Sequence, residues 1–443
     1  MARKKKFYLI DIAGVAMASL AGLLKKKGYE VAGSDQEMYE PIKSLLEKLK
    51  IKVFSPYNAF HMKHWKPDVV VVGNAIGRGN QELEYVLSNG HPPAGGYRSM
   101  SDILQDEFIF GKKAIVIAGT HGKTTATALI AWILECAGLD PTVFVGGFTG
   151  NFNGTFKLGK GEYIVIEGDE YDTAFFDKSP KFWHYRPFIG VVNNIELDHV
   201  DIYPNLEAYK YAFARFINLI PQNGLLVANR YDKNVMGLVK EFHACPPKLW
   251  RRRVKLFGLK HGDFMAQNIL AATAVARFVG VSHETIKKAI ASFKGVKRRA
   301  EIIGEKNGIT VIDDYAHHPT AVRETLITLK KKFHGKRLFL MFEPGSASSK
   351  RRVFEKQYIE AFRYANIVYL YKPYKVGALR QNEVFHGKHV VSALRKKGVP
   401  AKSFDNLKEL LFHMKRDSRS GDVVVITSCR GFDGLREKIL KEL

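Results

Sequence analysis

The most constraining feature of this sequence is a strand-like apolar run that leads through two glycines into a lysine and two threonines. Residues 115–125 read IVIAGTHGKTT, and a helical pattern continues from Ala126 to Cys136. Glycines let the backbone turn its N–H groups inward, and the N-terminus of the following helix attracts negative charge. Ile117 stands where the general G-x-x-x-x-G-K-[ST] pattern has its first glycine. The position between a strand and a helix still predicts a phosphate-binding loop.

The side chains of this loop have predicted contacts with a nucleoside triphosphate and its metal ion. Lys123 is expected to reach the outer phosphates, and the Thr124 hydroxyl is expected to ligate Mg²⁺. The predicted ATP-binding residues of the loop are Gly119, Thr120, His121, Gly122, Lys123, Thr124 and Thr125. ATP and Mg²⁺ are therefore the expected cofactors.

The order of strand-like and helix-like segments predicts an α/β protein with three domains. A first pattern starts with a strand at Phe7–Ile12, a second starts at the phosphate loop, and a third starts at Ile309–Ile312. We place the domains at 1–111, 112–302 and 303–443. The first and third are expected to be Rossmann-like, and the central domain is expected to be a phosphate-loop ATPase.

The first domain carries a partial dinucleotide-type signature. Gly14 follows the first strand, and Ser34 and Asp35 end the second strand. Asp35 lies about 20 residues beyond the glycine turn, which is the spacing of a ribose-binding acid. Asn74 follows a later strand in another loop at the carboxyl end of the predicted sheet. These four residues are the candidates for binding a nucleotide in this domain.

The charge balance restricts the classes of partner. The formal net charge is +25, from 69 lysines and arginines against 44 acidic residues, and it suits either anionic partners or a highly solvated surface. The basic residues are spread in short clusters without an interleaved aromatic and basic platform, so nucleic acid is not expected as a partner. A nucleic-acid-stimulated ATPase is the alternative from another class, and it predicts binding that weakens steeply with salt.

Cysteine usage and hydropathy predict the compartment. The three cysteines lie far apart without a C-x-x-C spacing, which favours a reducing compartment. The basic residues 3–6 and the apolar run after them resemble a signal peptide, but Asp11 interrupts the run and the segment also fits a strand, turn and helix. No stretch reaches the roughly 18 uncharged apolar residues of a membrane span. We therefore expect a cytoplasmic protein with no membrane partner.

Three acidic or imidazole clusters follow predicted strands. Residues 167–172 read EGDEYD, residues 193–199 read NNIELDH, and residues 313–319 read DDYAHHP. The first cluster lies in the domain of the phosphate loop, where Glu167 is a candidate ligand of Mg²⁺ because this ion takes oxygen ligands. A solvated acidic loop is the alternative. His199, in the second cluster, is a candidate for binding a metal or positioning a phosphate.

The phosphate loop and these three clusters, in this order, resemble the Mur ligases, the ATP-dependent amino-acid or peptide ligases of bacterial cell-wall synthesis. The resemblance covers essentially the whole chain. DEYDTAFFDK at 169–178, HYRP at 184–187 and GF at 431–432 are most similar to the members that join L-Ala-γ-D-Glu-meso-diaminopimelate to UDP-N-acetylmuramate in cell-wall recycling. Members that join L-alanine to the same nucleotide sugar are the alternative.

This resemblance implies a UDP-sugar domain, a central ATPase domain and a C-terminal peptide domain. It also implies that ATP converts the sugar carboxylate into an acyl phosphate, which the peptide amine then attacks. The implied catalytic residues are Lys123, Glu167 and His199, and the implied metal ligands are Thr124, Glu167 and His199. Further residues are assigned to ATP (Asn268, Arg299, Asp314) and to the UDP-sugar (Gly14, Ser34, Asp35, Asn74).

The sequence departs from the family pattern at three places. Phe264-Met265 replace a His-Asn pair near the adenine, so a nucleotide-binding member without catalysis is a further alternative. Ala214 stands where several members carry a carbamoylated lysine, so we expect no such modification there. The stretch 343–346 lacks the arginine expected after its proline. Lys350, Arg351 and Arg352 after this stretch, and Arg430 further along, are therefore the candidates for binding the peptide carboxylates, and solvated surface charge is the alternative for each. Of these, Lys350 and Arg430 are the predicted peptide-binding residues.

Overall fold

The computed structural model describes residues 3–89, 96–244, 253–260, 263–377 and 379–443. Contacts between residues divide the chain into two compact units, Met1–Glu196 with Asn205–Val296, and Leu197–Pro204 with Lys297–Leu443. The first unit contains two large sheets and the second unit contains one, all flanked by helices. This architecture confirms the predicted α/β class with three domains. The domain boundaries stay predictions.

The N-terminal sheet of the first unit is entirely parallel, in the order β3-β2-β1-β4-β5. Its strands are short apolar runs with buried side chains, as expected for strands covered by helices on both faces. Its strands are β1 Lys6–Ile10, β2 Glu30–Ser34, β3 Lys52–Phe54, β4 Val69–Val72 and β5 Tyr97–Ser99. Its helices are α1 Val15–Lys26, α2 Ile42–Lys48, α3 Ala59–Trp65, α4 Gln81–Asn89 and α5 Met100–Leu104.

The larger sheet of the first unit has the order β14-β13-β12-β6-β9-β7-β8, and only its edge strand β8 is antiparallel. Two further strands, β10 Asp172–Ala174 and β11 Asp177–Pro180, form a separate hairpin. The sheet strands are β6 Lys113–Ala118, β7 Thr142–Thr149, β8 Gly154–Lys157, β9 Tyr163–Glu167, β12 Pro187–Val192, β13 Leu225–Asn229 and β14 Val254–Phe257. The helices are α6 Lys123–Cys136, α7 Leu206–Asn218, α8 Lys233–Ala244, α9 Phe264–Phe278 and α10 His283–Ala291.

The sheet of the second unit has the order β15-β16-β20-β17-β18-β19, with β15 as an antiparallel edge strand. Apolar side chains bury both of its faces, as in the other sheets. Its strands are β15 Glu301–Lys306, β16 Ile309–Asp314, β17 Leu338–Phe342, β18 Ile367–Tyr371, β19 Ala401–Phe404 and β20 Val423–Thr427. Its helices are α11 Pro319–Lys332, α12 Glu355–Phe362, α13 Gly387–Lys396, α14 Leu407–Asp417 and α15 Leu435–Glu442.

Some strands and helices begin or end at residues other than those expected from the sequence, because polar residues interrupt the apolar pattern there. The first strand ends at Ile10, because Asp11 adopts a left-handed φ of 74°. Helix α6 begins at Lys123 rather than at Ala126, since the polar residues at its start belong to the phosphate loop as well. The helix expected from Gly262 begins at Phe264, and Gly262 itself lies outside the described residues. Within the described ranges, every helix is too short or too polar to cross a bilayer.

Candidate active site

The phosphate loop connects β6 to α6 in the conformation that its glycines allow. Gly119 has a φ of 134°, and Gly122 caps the N-terminus of α6 with a φ of 81°. A Cβ atom at Gly122 would lie 2.9 Å from Oδ1 of Asn268 and 3.3 Å from Nδ2 of Asn193. Glycine is therefore required at this turn for its backbone angle and for its small size. The N-terminus of α6 therefore forms a site suited to phosphate.

Lys123 is held by a buried carboxylate. Its Nζ lies 2.8 and 2.7 Å from the two carboxylate oxygens of Glu170, and it also donates to the backbone oxygen of Gly119 at 2.7 Å. Tyr209 donates its hydroxyl to Oε1 of Glu170 at 2.9 Å. Burial alone would lower the pKa of Lys123, but attraction to Glu170 and Asp169 outweighs burial and raises this pKa. Lys123 is therefore a fixed cation within the loop.

Thr124 and Glu167, two of the predicted metal ligands, lie in contact. The Thr124 hydroxyl donates to Oε1 of Glu167 at 2.9 Å, and the backbone N–H of Gly146 donates to Oε2 at 2.7 Å. A hydroxyl and a carboxylate are the oxygen donors that Mg²⁺ prefers. The residues present therefore fit this ion. Glu170, the other acidic candidate of this cluster, is paired with Lys123. The role of Glu167 as a metal ligand stays a prediction.

The segment after β12 packs against the phosphate loop. Asn194 Oδ1 accepts a hydrogen bond from the backbone N–H of His121 at 2.7 Å. Nε2 of His121 lies 3.1 Å from Oε2 of Glu196, and the Thr120 hydroxyl donates to the backbone oxygen of Glu196 at 3.0 Å. Sequence reasoning did not assign a contact to Glu196. β6 and β12 are neighbouring parallel strands, so the residues at their carboxyl ends meet at one edge of the sheet. This strand order is the feature from which the contact could have been predicted.

The predicted adenine-side residues lie at the start of α9. Asn268 is 3% exposed and lies against the Gly122 turn. The Phe264 ring is 6.0 Å from the His121 ring, and Met265 is 42% exposed. The aromatic ring that replaces the family histidine therefore lies beside the phosphate loop. Its contact with adenine stays a prediction.

The four predicted UDP-sugar residues lie at or after the carboxyl ends of strands of the N-terminal sheet, and Ser34 is the last residue of β2. Gly14 caps α1, Asp35 Oδ2 accepts the backbone N–H of Ala13 at 2.8 Å, and Asn74 is half-buried in the turn after β4. Ser34 is fully buried, and its hydroxyl donates to the buried carboxylate of Glu82. The Ser34 side chain thus has a partner inside the protein. The roles of these residues in sugar-nucleotide binding stay predictions.

Asp11 is a further acidic residue at this edge of the sheet. Its left-handed φ of 74° is uncommon for a residue other than glycine. Burial and the neighbouring charge of Asp35 raise the pKa of Asp11 to about 7. Sequence reasoning treated Asp11 only as an interruption of the apolar run, because the pattern does not show that the two carboxylates face each other.

In the second unit, His199 lies in the segment Leu197–Pro204, which also contains Asp198. His199 has a φ of 51°, and its backbone N–H donates to Oδ1 of Asp198 at 2.7 Å. Nε2 of His317 lies 3.8 Å from Oδ2 of Asp198. Burial would raise the pKa of Asp198, but His199, His317 and His318 hold this pKa well below its usual range. The role of His199 as a metal ligand stays a prediction.

Asp314 and Arg299 lie at the start of the second unit. Asp314 accepts the backbone N–H groups of Ala316 at 2.6 Å and Ala300 at 2.7 Å, and burial raises its pKa. The Arg299 guanidinium lies 5.1 Å from the centre of the Tyr315 ring. The carboxylate of Asp314 thus fixes the backbone next to Arg299. Their roles in ATP binding stay predictions.

Lys350 and Arg430, the predicted peptide-binding residues, lie near the carboxyl ends of β17 and β20. Arg430 Nε donates to the backbone oxygen of Gly345 at 3.3 Å, and its guanidinium lies 5.4 Å from the Tyr374 ring. The repulsion between Lys350 and Arg430 contributes, after burial, to a lowered pKa of Lys350. Both predicted cations therefore belong to one electropositive region.

The chain matches the models of known protein domain families. Three domain models match the chain in order: the Mur ligase family catalytic domain at residues 6–105, the Mur ligase middle domain at 117–252 and the Mur ligase glutamate ligase domain at 298–430. Together with the strand–loop–helix phosphate site, they define an α/β enzyme that uses a nucleoside triphosphate. The chain belongs to the Mur ligase family, whose members are ATP-dependent ligases that form C–N bonds.

Several relatives match over the full chain. A UDP-N-acetylmuramate–L-alanyl-γ-D-glutamyl-meso-2,6-diaminoheptandioate ligase of Haemophilus influenzae is 33% identical, covering 99% of each chain. A UDP-N-acetylmuramate–L-alanine ligase of Clostridium tetani is 30% identical, covering 95% of each chain. The crystal structure of a murein peptide ligase of Psychrobacter arcticus is 29% identical with a TM-score of 0.73, covering 99% of this chain and 98% of that chain.

Proposed function

We propose that this chain joins L-Ala-γ-D-Glu-meso-diaminopimelate to UDP-N-acetylmuramate at the cost of ATP, as a step of cell-wall peptide recycling in the cytoplasm. The observation that carries the proposal is the full-length identity of 33% with the Haemophilus influenzae enzyme of that name. The geometry of the phosphate loop supports the ATP-dependent part of the reaction, because Lys123 is held by Glu170 and the Thr124 hydroxyl contacts Glu167.

The chemistry requires activation of the sugar carboxylate. Attack by an amine on a free carboxylate would have to expel an oxide, so the carboxylate first takes the γ-phosphoryl group of ATP. The resulting acyl phosphate has phosphate as its leaving group. The peptide amine attacks the acyl carbon, a tetrahedral intermediate forms, and phosphate departs as the amide forms.

Residues of the loop are proposed to stabilise the charge on the moving phosphoryl group. The Lys123 ammonium is held in place by Glu170, so little reorganisation is needed when phosphates bind. Thr124 and Glu167 would hold Mg²⁺, which neutralises phosphate charge when it is bound. The positive φ angles of Gly119 and Gly122 shape the turn that leads into the N-terminus of α6, where the β- and γ-phosphates would bind.

A turnover assay tests the proposal. The purified protein is given ATP, Mg²⁺ and UDP-N-acetylmuramate, together with either the tripeptide or free L-alanine, and both the UDP-linked product and phosphate are measured. We expect ATP-dependent ligation of the tripeptide at a higher kcat/KM than that of L-alanine. Equal or better use of L-alanine would instead assign the activity that the name of the Clostridium tetani relative gives.

A further inference from the structure

A cavity of about 470 Å³ lies in the second unit between two loops. It is lined by Ala347, Lys350, Arg351, Val376, Leu379 and Glu383, which we call the acceptor pocket. One loop follows β17 and the other follows β18, which are neighbouring parallel strands. In open α/β sheets, ligands bind in the crevice beyond the carboxyl ends of the strands. The volume is in the range of small-molecule sites.

Backbone contacts hold the two loops together. The N–H of Tyr374 donates to the oxygen of Pro344 at 2.9 Å, and the N–H of Phe385 donates to the oxygen of Lys350 at 2.7 Å. Arg351 and Val384 form an antiparallel bridge. Main-chain bonds therefore hold the two loops of the acceptor pocket at a fixed spacing.

The cationic side of the acceptor pocket is incompletely neutralised. Nε of Arg351 is buried without a hydrogen-bond partner among the residues that the structure describes. The Lys350 ammonium donates to the backbone oxygen of Lys375 at 3.0 Å, which is an uncharged partner. A buried donor that lacks a partner costs free energy, and a carboxylate is the acceptor that suits a guanidinium best.

The other residues that line the acceptor pocket are acidic or apolar. Glu383 is exposed and accepts the backbone N–H of Arg380 at 3.0 Å, which leaves its carboxylate able to accept further bonds. Val376 and Leu379 contribute apolar surface to the lining. The lining thus combines cations, a carboxylate and an apolar wall.

We propose that the acceptor pocket binds the side chain of the third peptide residue, an aliphatic chain that ends in both a carboxylate and an ammonium group. Arg351 and Lys350 bind the distal carboxylate, Glu383 binds the distal ammonium, and Val376 and Leu379 contact the methylene chain. This inference rests on the proposed function and adds to it the basis for selecting the third residue. A diamino acid that carries both terminal groups fits the complete lining, whereas lysine lacks the distal carboxylate.

Three acceptor substrates distinguish the contact with the distal carboxylate from the contact with the distal ammonium group. They are L-Ala-γ-D-Glu-meso-diaminopimelate, L-Ala-γ-D-Glu-L-Lys and L-Ala-γ-D-Glu. The kcat/KM of each is measured for the full-length protein and for two variants, Arg351→Met and Glu383→Gln. Arg351→Met should lower kcat/KM about 10- to 100-fold for the diaminopimelate peptide alone. Glu383→Gln should lower it about tenfold for both tripeptides, since both carry the distal ammonium, and should leave the dipeptide unchanged.

Matched controls come from the same unit. Arg363→Met and Glu409→Gln remove the same charges from exposed residues outside the acceptor pocket, so they should change none of the three values. Equal losses on all three acceptors in a pocket variant would overturn the pocket assignment while leaving the proposed ligation intact. Ligation of L-alanine without ligation of any peptide would overturn the proposed function, and the pocket assignment with it.

Discussion

The phosphate loop and the acceptor pocket both bring cations into partly buried positions, yet they neutralise them differently. Lys123 lies against both oxygens of Glu170, a carboxylate that is 1% exposed. Arg351 and Lys350 have no carboxylate at comparable distance among the described residues. A cation that is already paired contributes to the folded state as well as to the reaction. A cation without a buried partner contributes mainly when the substrate supplies the opposite charge.

Removal of the loop cation should have the largest effect. Lys123→Ala is expected to lower ATP-dependent ligation by about a hundredfold or more, because a fixed charge on the transferred phosphoryl group is lost. The measurement is kcat for product formation at saturating substrates. Activity equal to that of the wild type would show that the loop does not hold the reacting phosphates.

The same substitution should also reduce stability. In Lys123→Ala the buried Glu170 loses its cationic partner, so the free energy of unfolding should fall by about 3–5 kcal/mol. Urea unfolding measures this change. The double variant Lys123→Ala/Glu170→Gln should recover most of the stability and none of the activity. A double variant as unstable as the single one would show that the ion pair is not the cause.

Asp11 provides the opposite electrostatic case within the first unit, because it faces a like charge. Its pKa is about 7 in the folded protein against an ordinary value of 3.8, so the folded state binds the proton more tightly than the unfolded state. The contribution of Asp11 to stability should therefore fall as pH rises from about 4 to 7. Asp11→Asn should be more stable than the wild type by about 4 kcal/mol at pH 8 and by less than about 1 kcal/mol at pH 4.

The pH dependence of unfolding in urea tests this sign. Asparagine keeps the side-chain shape and tolerates the left-handed backbone, so the comparison isolates the charge. Glu37→Gln, at an exposed glutamate of the same domain, is the control. Parallel stability profiles for Asp11→Asn and the wild type would contradict the like-charge interpretation.

The smallest effect is expected in the acceptor pocket. Arg351→Met removes a guanidinium whose Nε has no partner in the described structure, so the free energy of unfolding should change by less than about 0.5 kcal/mol. This result, beside a large loss in Lys123→Ala, would sharpen the contrast between the two regions. A fall of several kcal/mol in the free energy of unfolding of Arg351→Met would show that the two regions do not differ in this respect.

The sequence predicted the features whose signals are local. The strand–glycine–lysine order of 115–125 predicted the phosphate loop, and the strands at Val69–Val72, Leu338–Phe342 and Val423–Thr427 have the bounds expected from their apolar runs. The position of Glu167 at the end of β9 predicted its proximity to Thr124, because parallel strands end at one edge of the sheet.

The remaining features depend on contacts between distant parts of the chain. Tyr209 reaches Glu170 across 39 positions, and no periodicity in α7 marks this residue as different from its neighbours. The acceptor pocket arises because main-chain bonds bring two loops together, and such bonds leave no pattern of residue types. Lys350 and Arg351 were candidates from their charge, whereas Glu383 gained significance only through the cavity that it lines.

The main-chain origin of the acceptor pocket has a consequence for protein engineering. The bonds from Tyr374 to Pro344 and from Phe385 to Lys350 use backbone atoms, so they persist when the side chains at 351, 376, 379 and 383 are exchanged. A combinatorial library at these four positions would therefore vary the chemistry of the cavity on a constant scaffold. Selection from it could yield ligases that attach non-natural diamino acids to nucleotide-linked sugars.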